Sequence, residues 1–233
     1  MRKCYVPLAI LLFFLPVFHL KAQEVDLLWQ GQTYTPPFYK GKALWSSQSK
    51  ISLLAIPHIS GVSNPTSLTY KWIKNGTVLG NINGVGKNTL TFTDSILSQP
   101  QIVKVEILSA SPAKVLASAS MTITPISPIL AIYENNPLYG FMFHREISGV
   151  HNLLEREVTF TAFPLFFSTV SRVDDTLSYS WRTGSDEADI SSSVTYRTPE
   201  EAAGTSAVSV EASNRDKFLQ SADKNFLIQF GDQ

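Results

Sequence analysis

The stretch that decides the fold reads Tyr70-Lys71-Trp72-Ile73-Lys74-Asn75-Gly76, and a related stretch, Leu177-Ser178-Tyr179-Ser180-Trp181, follows later in the chain. Both alternate apolar with polar residues at a period of two, which is typical of a strand with one buried face. The Asn-Gly pair that ends the first stretch favours a tight hairpin turn. The pattern predicts four structural core residues: Tyr70, Trp72, Tyr179 and Trp181.

These stretches belong to a set of five blocks that recur in the same order, with offsets between 104 and 109 residues. The matched blocks are Ile51–Pro57 with Val158–Pro164, Leu68–Trp72 with Leu177–Trp181, Asn88–Phe92 with Ser192–Tyr196, Val103–Glu106 with Val208–Glu211, and Met121–Ile123 with Phe226–Ile228. Ordered self-similarity of this kind indicates a duplicated unit of ~100 residues.

Each block alternates like a strand, and turn-forming residues separate the blocks. Many short strands at such spacing are typical of a β-sandwich, and helical periodicity is almost absent. The sequence therefore predicts an all-β protein of two tandem antiparallel β-sandwiches, residues 23–125 and 126–233. The proline-bearing segment Pro125–Pro128 is the predicted linker between them.

The Tyr-x-Trp strand, the Asn-Gly turn and the later Val-x-Val strand together resemble a known kind of domain. They are similar to the polycystic-kidney-disease-type and related immunoglobulin-like domains of bacterial exported and surface proteins. The resemblance covers most of residues 50–123 and 157–228. It implies two immunoglobulin-like sandwiches in which Trp72 and Trp181 pack between the sheets, and it implies a fold more than an activity.

The N-terminal residues have the pattern of a secretory signal peptide. Arg2 and Lys3 precede an apolar run from Tyr5 to Leu20, which is shorter than the ~20 apolar residues of a comfortable membrane span. We expect residues 1–22 to be removed after Ala22 and the product to be exported to the periplasm, the cell surface or the medium. An uncleaved N-terminal anchor is the alternative, and the mature sequence contains no other stretch apolar enough to span a membrane.

Charge and cysteine content exclude several classes of function. The chain has 19 basic and 19 acidic residues; without Arg2, Lys3 and Lys21 the net charge is −3, which gives no basic footprint for nucleic acid. The single cysteine, Cys4, lies in the leader, so the mature chain has no disulfide, thiolate metal site or cysteine nucleophile. A cysteine-free exported protein points to a bacterial source.

No motif for catalysis or for a cofactor stands out. The sequence lacks a nucleophile elbow, a phosphate-binding loop and a His-Glu-x-x-His motif, and His151 with Glu155 falls in a predicted loop or strand edge. We therefore predict a non-enzymatic interaction or spacer protein of the bacterial envelope, which binds partners through its sandwich surfaces; the alternative is a carbohydrate-binding or adhesin-like module that uses exposed aromatic residues. Its expected partners are envelope proteins or a surface assembly.

The sequence offers one candidate ion site. Asp186 and Asp189 lie in an acidic loop at the tip of the second module, and clustered carboxylates can bind calcium. Solvated loop charge is the simpler interpretation of the same residues.

Two apolar segments are candidate binding surfaces. The first is dense in aromatic residues that could stack on a glycan: Trp29, Tyr34, Phe38, Tyr39 and Trp45. Because the second module repeats this crossing, packing is the simpler explanation. The second segment, Leu165, Phe166 and Phe167, is more apolar than its counterpart in the first module, and an exposed strand edge there would suit partner docking.

Overall fold

Strands and the turns between them make up nearly all of the part of the chain that the structure describes. The structure, a computed structural model, describes residues 23–94, 97–109, 114–153, 155–184, 188–198, 200 and 202–231. The predicted signal peptide, residues 1–22, lies outside this part. Within it, the helical elements are two short 3-10 turns, Pro65–Ser67 and Gly80–Ile82, and no helix is long and apolar enough to cross a membrane.

The described residues form sixteen strands, eight in each half of the chain. The first half has β1 (Glu24–Gly31), β2 (Lys50–His58), β3 (Thr69–Lys74), β4 (Thr77–Val78), β5 (Gly84–Val85), β6 (Thr89–Thr93), β7 (Gln101–Leu108) and β8 (Val115–Ile123). The second half has β9 (Ile129–Asn136), β10 (Gly140–Phe141), β11 (Gly149–Asn152), β12 (Glu157–Leu165), β13 (Leu177–Thr183), β14 (Ser193–Arg197), β15 (Gly204–Asn214) and β16 (Ser221–Phe230).

Each half is a sandwich of two sheets. In the first module the sheets have the orders β1–β2–β6 and β4–β3–β7–β8, and β5 also pairs with β3. In the second module the orders are β10–β9–β12–β14 and β11–β16–β15–β13. The pairs are antiparallel except for β11 with β16. This division of the strands between two sheets is that of the immunoglobulin fold, which confirms the predicted all-β class.

The pairing shows which positions of the two modules are equivalent. Leu53 of β2 pairs with Trp29 and Leu90, and Phe160 of β12 pairs with Glu134 and Val194. β1, β2 and β6 therefore correspond to β9, β12 and β14. The duplication seen in the sequence thus extends to the strand register.

The two central tryptophans hold the same place in both modules. Trp72 and Trp181 are 0% and 1% exposed, and each indole N–H donates to a backbone carbonyl at 2.8 Å, that of Lys87 or of Ser191. A buried indole needs such an acceptor, since an unpaired N–H would cost free energy.

The neighbouring tyrosines follow the same rule. Tyr70 and Tyr179 are also buried in the two cores, and their hydroxyls donate to the carbonyls of Pro65 and Arg172. Burial raises the pKa of both phenols above the usual range. The four predicted core residues therefore lie inside the two sandwiches.

Candidate functional site

The apolar edge predicted as a docking surface is not exposed, which corrects that prediction. Leu165, Phe166 and Phe167 are 7%, 2% and 0% exposed. Phe167 points into the core of the second module, whereas Leu165 and Phe166 belong to a separate apolar cluster between the modules. These side chains are already covered by the chain itself, so they cannot serve as a free partner-binding surface.

The cover comes from the aromatic crossing of the first module. Phe38 lies with its ring centroid 5.0 Å from that of Tyr133 and 5.6 Å from that of Phe163. Tyr39 meets Phe166 edge-on at 5.4 Å. We call this group, with Leu44, Ala131, Leu165, Ile126 and Phe141, the junction cluster. Edge-to-face ring pairs contribute about 0.5–1.5 kcal/mol each beyond their buried area, so the cluster is a substantial contact.

Backbone hydrogen bonds fix the crossing on the second module. The Tyr34 amide donates to the Phe167 carbonyl, and the Phe166 amide donates to the Tyr34 carbonyl, both at 2.8 Å. Phe166 has a positive φ of 65°, which strains a non-glycine residue and persists only where surrounding contacts hold it. The Tyr34 contact supplies that restraint. Burial also raises the pKa of the Tyr34 hydroxyl, against the opposing effect of Arg172.

A buried amide provides a second, polar connection. Gln220 is 0% exposed; its Nε2 donates to the Ser47 carbonyl at 2.7 Å and to Ser168 Oγ at 2.8 Å, and its Oε1 accepts from the Ser168 amide at 2.8 Å. Gln48, which also has a positive φ, accepts from the Leu219 amide through Oε1 at 2.9 Å. One side chain from each module thus reaches backbone groups of the other.

The linker adds a third connection. Ile126 donates from its amide to the Trp45 carbonyl at 2.9 Å and accepts from the Ser47 amide at 3.3 Å. This short parallel bridge between Ser46 and Ile126 holds the chain just after β8 against the first module. The two sandwiches are therefore joined by apolar, backbone and side-chain contacts.

The remaining aromatic candidates are divided between core and surface. Trp45 is fully buried in the first core, and its indole N–H donates to the Ser49 carbonyl at 3.1 Å; the expectation that it is a ligand surface is wrong. Trp29 is half-buried, and Lys42 places Nζ 3.5 Å from its ring centroid. Desolvation lowers the pKa of that ammonium group. Of the five aromatic candidates, Trp29 and Tyr34 are neither members of the junction cluster nor fully buried, and Tyr34 is held against the second module through its backbone.

The predicted calcium ligands are not brought together in the described part of the chain. Asp189 exchanges backbone hydrogen bonds with Trp181, and Asp186 lies outside the described residues. Among the described residues, no group of three or more histidine, cysteine or acidic side chains is close enough to hold a metal. Calcium binding at this loop stays a prediction.

His151 is buried, which the sequence did not indicate. It lies on β11, 6% exposed, with its ring 5.1 Å from Phe160, and its Nδ1 has no hydrogen-bond partner within the described residues. Burial lowers its pKa, with Glu134 opposing this effect and Arg145 adding to it. Glu155 lies on an exposed bend after β11, so the two residues do not share a helix face.

Comparison with known proteins gives structural likenesses only. No protein-family model matches the sequence, and no curated protein does. The solved structures that resemble the chain include the three N-terminal domains of the Highly Immunogenic Outer Capsid protein of bacteriophage RB49, at 18% identity and a TM-score of 0.44. That likeness covers 90% of this chain and 59% of the phage one, so the chain spans under two thirds of that structure.

Two other structures are more distant. Murine CEACAM1b has 12% identity and a TM-score of 0.28 over 88% of this chain and 99% of its own. The extracellular domain of a putative one-component system from B. thetaiotaomicron has 12% identity and a TM-score of 0.30 over 81% and 35%. The assignment of the fold therefore rests on the strand order described above.

Proposed function

We propose that the chain is a non-enzymatic, exported interaction and spacer protein of a bacterial envelope, whose two sandwiches act as one rigid unit. The observation that carries the proposal is the junction, where the Tyr34–Tyr39 crossing and the Phe166 edge cover one another. A unit that only spaces or presents surfaces needs a fixed relation between its modules, and a large apolar interface supplies one.

The absence of a catalytic motif in the sequence agrees with this function. The two segments that could have formed a ligand surface are used to join the modules, so partners would bind the outer faces of the sheets that the junction leaves open. Export is supported by the basic and apolar N-terminal residues. Envelope proteins or a surface assembly are the partners that such a location favours.

Export can be tested on the expressed protein. The full chain is produced in a bacterial host, and the N-terminus of the product in each fraction is read by mass spectrometry. We expect a chain that begins at Gln23 in the periplasm, at the surface or in the medium. The matched control lacks residues 1–22 and should stay in the cytoplasm. Full-length product that stays in the cytoplasm would contradict export.

The interaction function can be tested in the same cells. A photo-crosslinking residue placed at Leu28 or at Val150, on the outer faces of the two modules, should capture an envelope component. The same residue at the buried position Phe167 is the matched control and should capture nothing. Equal capture at all three positions would contradict binding through the sandwich surfaces.

A further inference from the structure

One end of the first sandwich is closed by a network of long polar side chains. Lys74 places Nζ 3.4 Å from Asp94 Oδ1 and 4.6 Å from the centroid of the Phe92 ring. Gln101, which is 4% exposed, donates from Nε2 to Asp94 Oδ2 at 2.8 Å and accepts from Asn75 Nδ2 at 2.7 Å. We call Lys74, Asn75, Asp94 and Gln101 the polar plug. It fills the space between the two sheets at this end with an ammonium group, a carboxylate and two amides.

The strand register identifies the residues that take the place of the plug in the second module. Lys74 and Thr183 pair with equivalent valines of β7 and β15. Asn75 and Gly184, which follow them, share a positive φ of 48° and 60°. By the same comparison of register and spacing, the plug residues are replaced, in chain order, by Thr183, Gly184, Thr198 and Ser206. Each replacement is smaller, and none carries a charge.

The smaller side chains leave a cavity at this end of the second sandwich. Its volume is about 400 Å³, and Trp181, Thr183, Thr198 and Ser206 are among the residues that line it. This is the size of a pocket for a small ligand or for one side chain of a partner. The Thr198 hydroxyl is buried and has no hydrogen-bond partner within the described part of the chain. Because an unpaired buried hydroxyl costs free energy, the cavity favours a polar occupant.

Two features of the cavity favour a positive charge. Tyr196 lines it and holds the position of Phe92, the ring beside the Lys74 ammonium group in the first module. Aromatic rings attract such a cation through their faces. Asp189 also lines the cavity. Burial raises the pKa of the Tyr196 hydroxyl and the Asp189 charge raises it further, so this carboxylate acts on the same part of the cavity as the ring.

We propose that this cavity binds a primary ammonium group on an alkyl chain, in the place that the Lys74 side chain occupies in the first module. The Tyr196 ring and the Asp189 carboxylate stabilise the charge. Arg197 lines the cavity as well, but its guanidinium group is already paired with Glu157, with Nε and Oε2 2.6 Å apart. A free alkylamine and a lysine side chain of a partner protein both carry the required group.

The test is a titration of the full-length protein with n-butylamine at neutral pH, followed by the amide resonances of the labelled chain. We expect the amides of Thr183, Thr198 and Ser206 to shift and to saturate with a Kd of about 1 mM, as suits a ligand of so few atoms. 1-Butanol has the same chain without the charge and should leave these resonances unchanged. N-acetyl-lysine methylamide separates the two sources: tighter binding than n-butylamine indicates a lysine side chain, and equal or weaker binding indicates a free amine.

Variants locate the site. Asp189→Asn should weaken n-butylamine binding about threefold, since an exposed ion pair contributes little more. Asp223→Asn, at an exposed position of β16, is the matched control and should bind like the parent chain. Thr183→Lys should abolish binding, because it places the side chain of the first module in the cavity. Circular dichroism checks the folding of each variant, and Asp189→Asn keeps the test valid if Thr183→Lys disturbs the fold.

Several results would overturn the proposal. These are resonances that stay unchanged up to about 20 mM n-butylamine, shifts confined to amides away from the cavity, and 1-butanol binding as tight as that of the amine. Binding by Asp189→Asn and Thr183→Lys that equals that of the parent chain would do the same. The inference does not rest on export or on the junction, so none of these results bears on the proposed function.

Discussion

The outer face of β9 and β12 and the outer face of β1 and β2 are equivalent surfaces of a duplicated fold, yet one is covered and the other is open. Phe163 is 2% exposed beneath Phe38, whereas Leu28 on the first module is 53% exposed. The difference shows that, in a tandem of two modules, the outer face of one module can be buried by its contact with the other. Apolar residues that look free in a single module can be buried by its neighbour.

The largest expected effect comes from truncating the covered face. Phe163→Ala should lower the free energy of unfolding by about 3–5 kcal/mol, because it leaves a cavity beneath Phe38 and beside Tyr133. The equivalent Ile56→Ala, on the open face, should cost about 1 kcal/mol. Urea unfolding of both variants measures the difference. Equal losses of stability in the two variants would show that the outer face of β9 and β12 is not covered in solution.

The polar part of the junction should be nearly as sensitive. Gln220→Ala removes the amide that bridges the modules and leaves the Ser47 carbonyl and the Ser168 amide without this partner, at a cost of about 1–3 kcal/mol. Gln229→Ala, at an exposed position of β16, the strand that follows Gln220, is the matched control and should have almost no effect. A Gln220 variant as stable as its control would argue against the bridge.

The parallel pairings of the two modules differ in whether they contain a titratable side chain, and this difference predicts a dependence of stability on pH. Ser46 bridges to Ile126 in the first module, and His151 pairs with Ile228 in the second. Because burial lowers the pKa of folded His151, the unfolded chain takes up the proton first. Stability should therefore be full above pH ~6.5, the ordinary histidine value, and should fall as the pH drops through the lower pKa of the folded state.

His151→Phe should flatten this part of the pH profile, because phenylalanine keeps the ring contact with Phe160 and carries no titrating group. Thermal unfolding between pH 7.5 and pH 4.5 measures the effect. The acidic groups titrate below most of this range, so the slope above pH 5 is the informative one. An unchanged slope in the variant would remove His151 as its source.

The smallest effect concerns the aromatic residue left outside the junction. Trp29 is the one half-exposed tryptophan, since Trp45, Trp72 and Trp181 are all buried. Acrylamide should quench a fluorescence component that Trp29→Phe abolishes, and Lys42→Ala should raise that quenching by uncovering the ring. The same component offers the test of glycan binding. Glycans that leave it unchanged would speak against this alternative at Trp29.

The fold could be predicted from the sequence because strand alternation is a local pattern and duplication is visible when the chain is aligned with itself. The alternation that includes Tyr70 and Trp72 marks which side chains face inward, and the repeated blocks show that the second module does the same. The sandwich follows from these two observations. The N-terminal signal and the loop at Asp186 lie outside the described residues, so the predictions made for them stay predictions.

The junction could not be predicted, since it depends on how two distant segments meet in space. The sequence singled out the Tyr34–Tyr39 crossing and the Phe166 edge as separate candidate surfaces, and each covers the other. Gln48 and Gln220 carried no signal, because a buried amide in a loop has the same local sequence as a solvated one. The density of aromatic residues was informative, but it marked an internal contact.

The central claim is that the junction makes the two modules one rigid unit, and the distance between them tests it most directly. Spin labels at Val78→Cys and Val150→Cys, one exposed residue on each module, can be attached specifically in a Cys4→Ser background. Electron–electron resonance should give a single narrow distance distribution, which Phe163→Ala combined with Gln220→Ala broadens. A broad distribution in the otherwise unaltered chain would contradict the account.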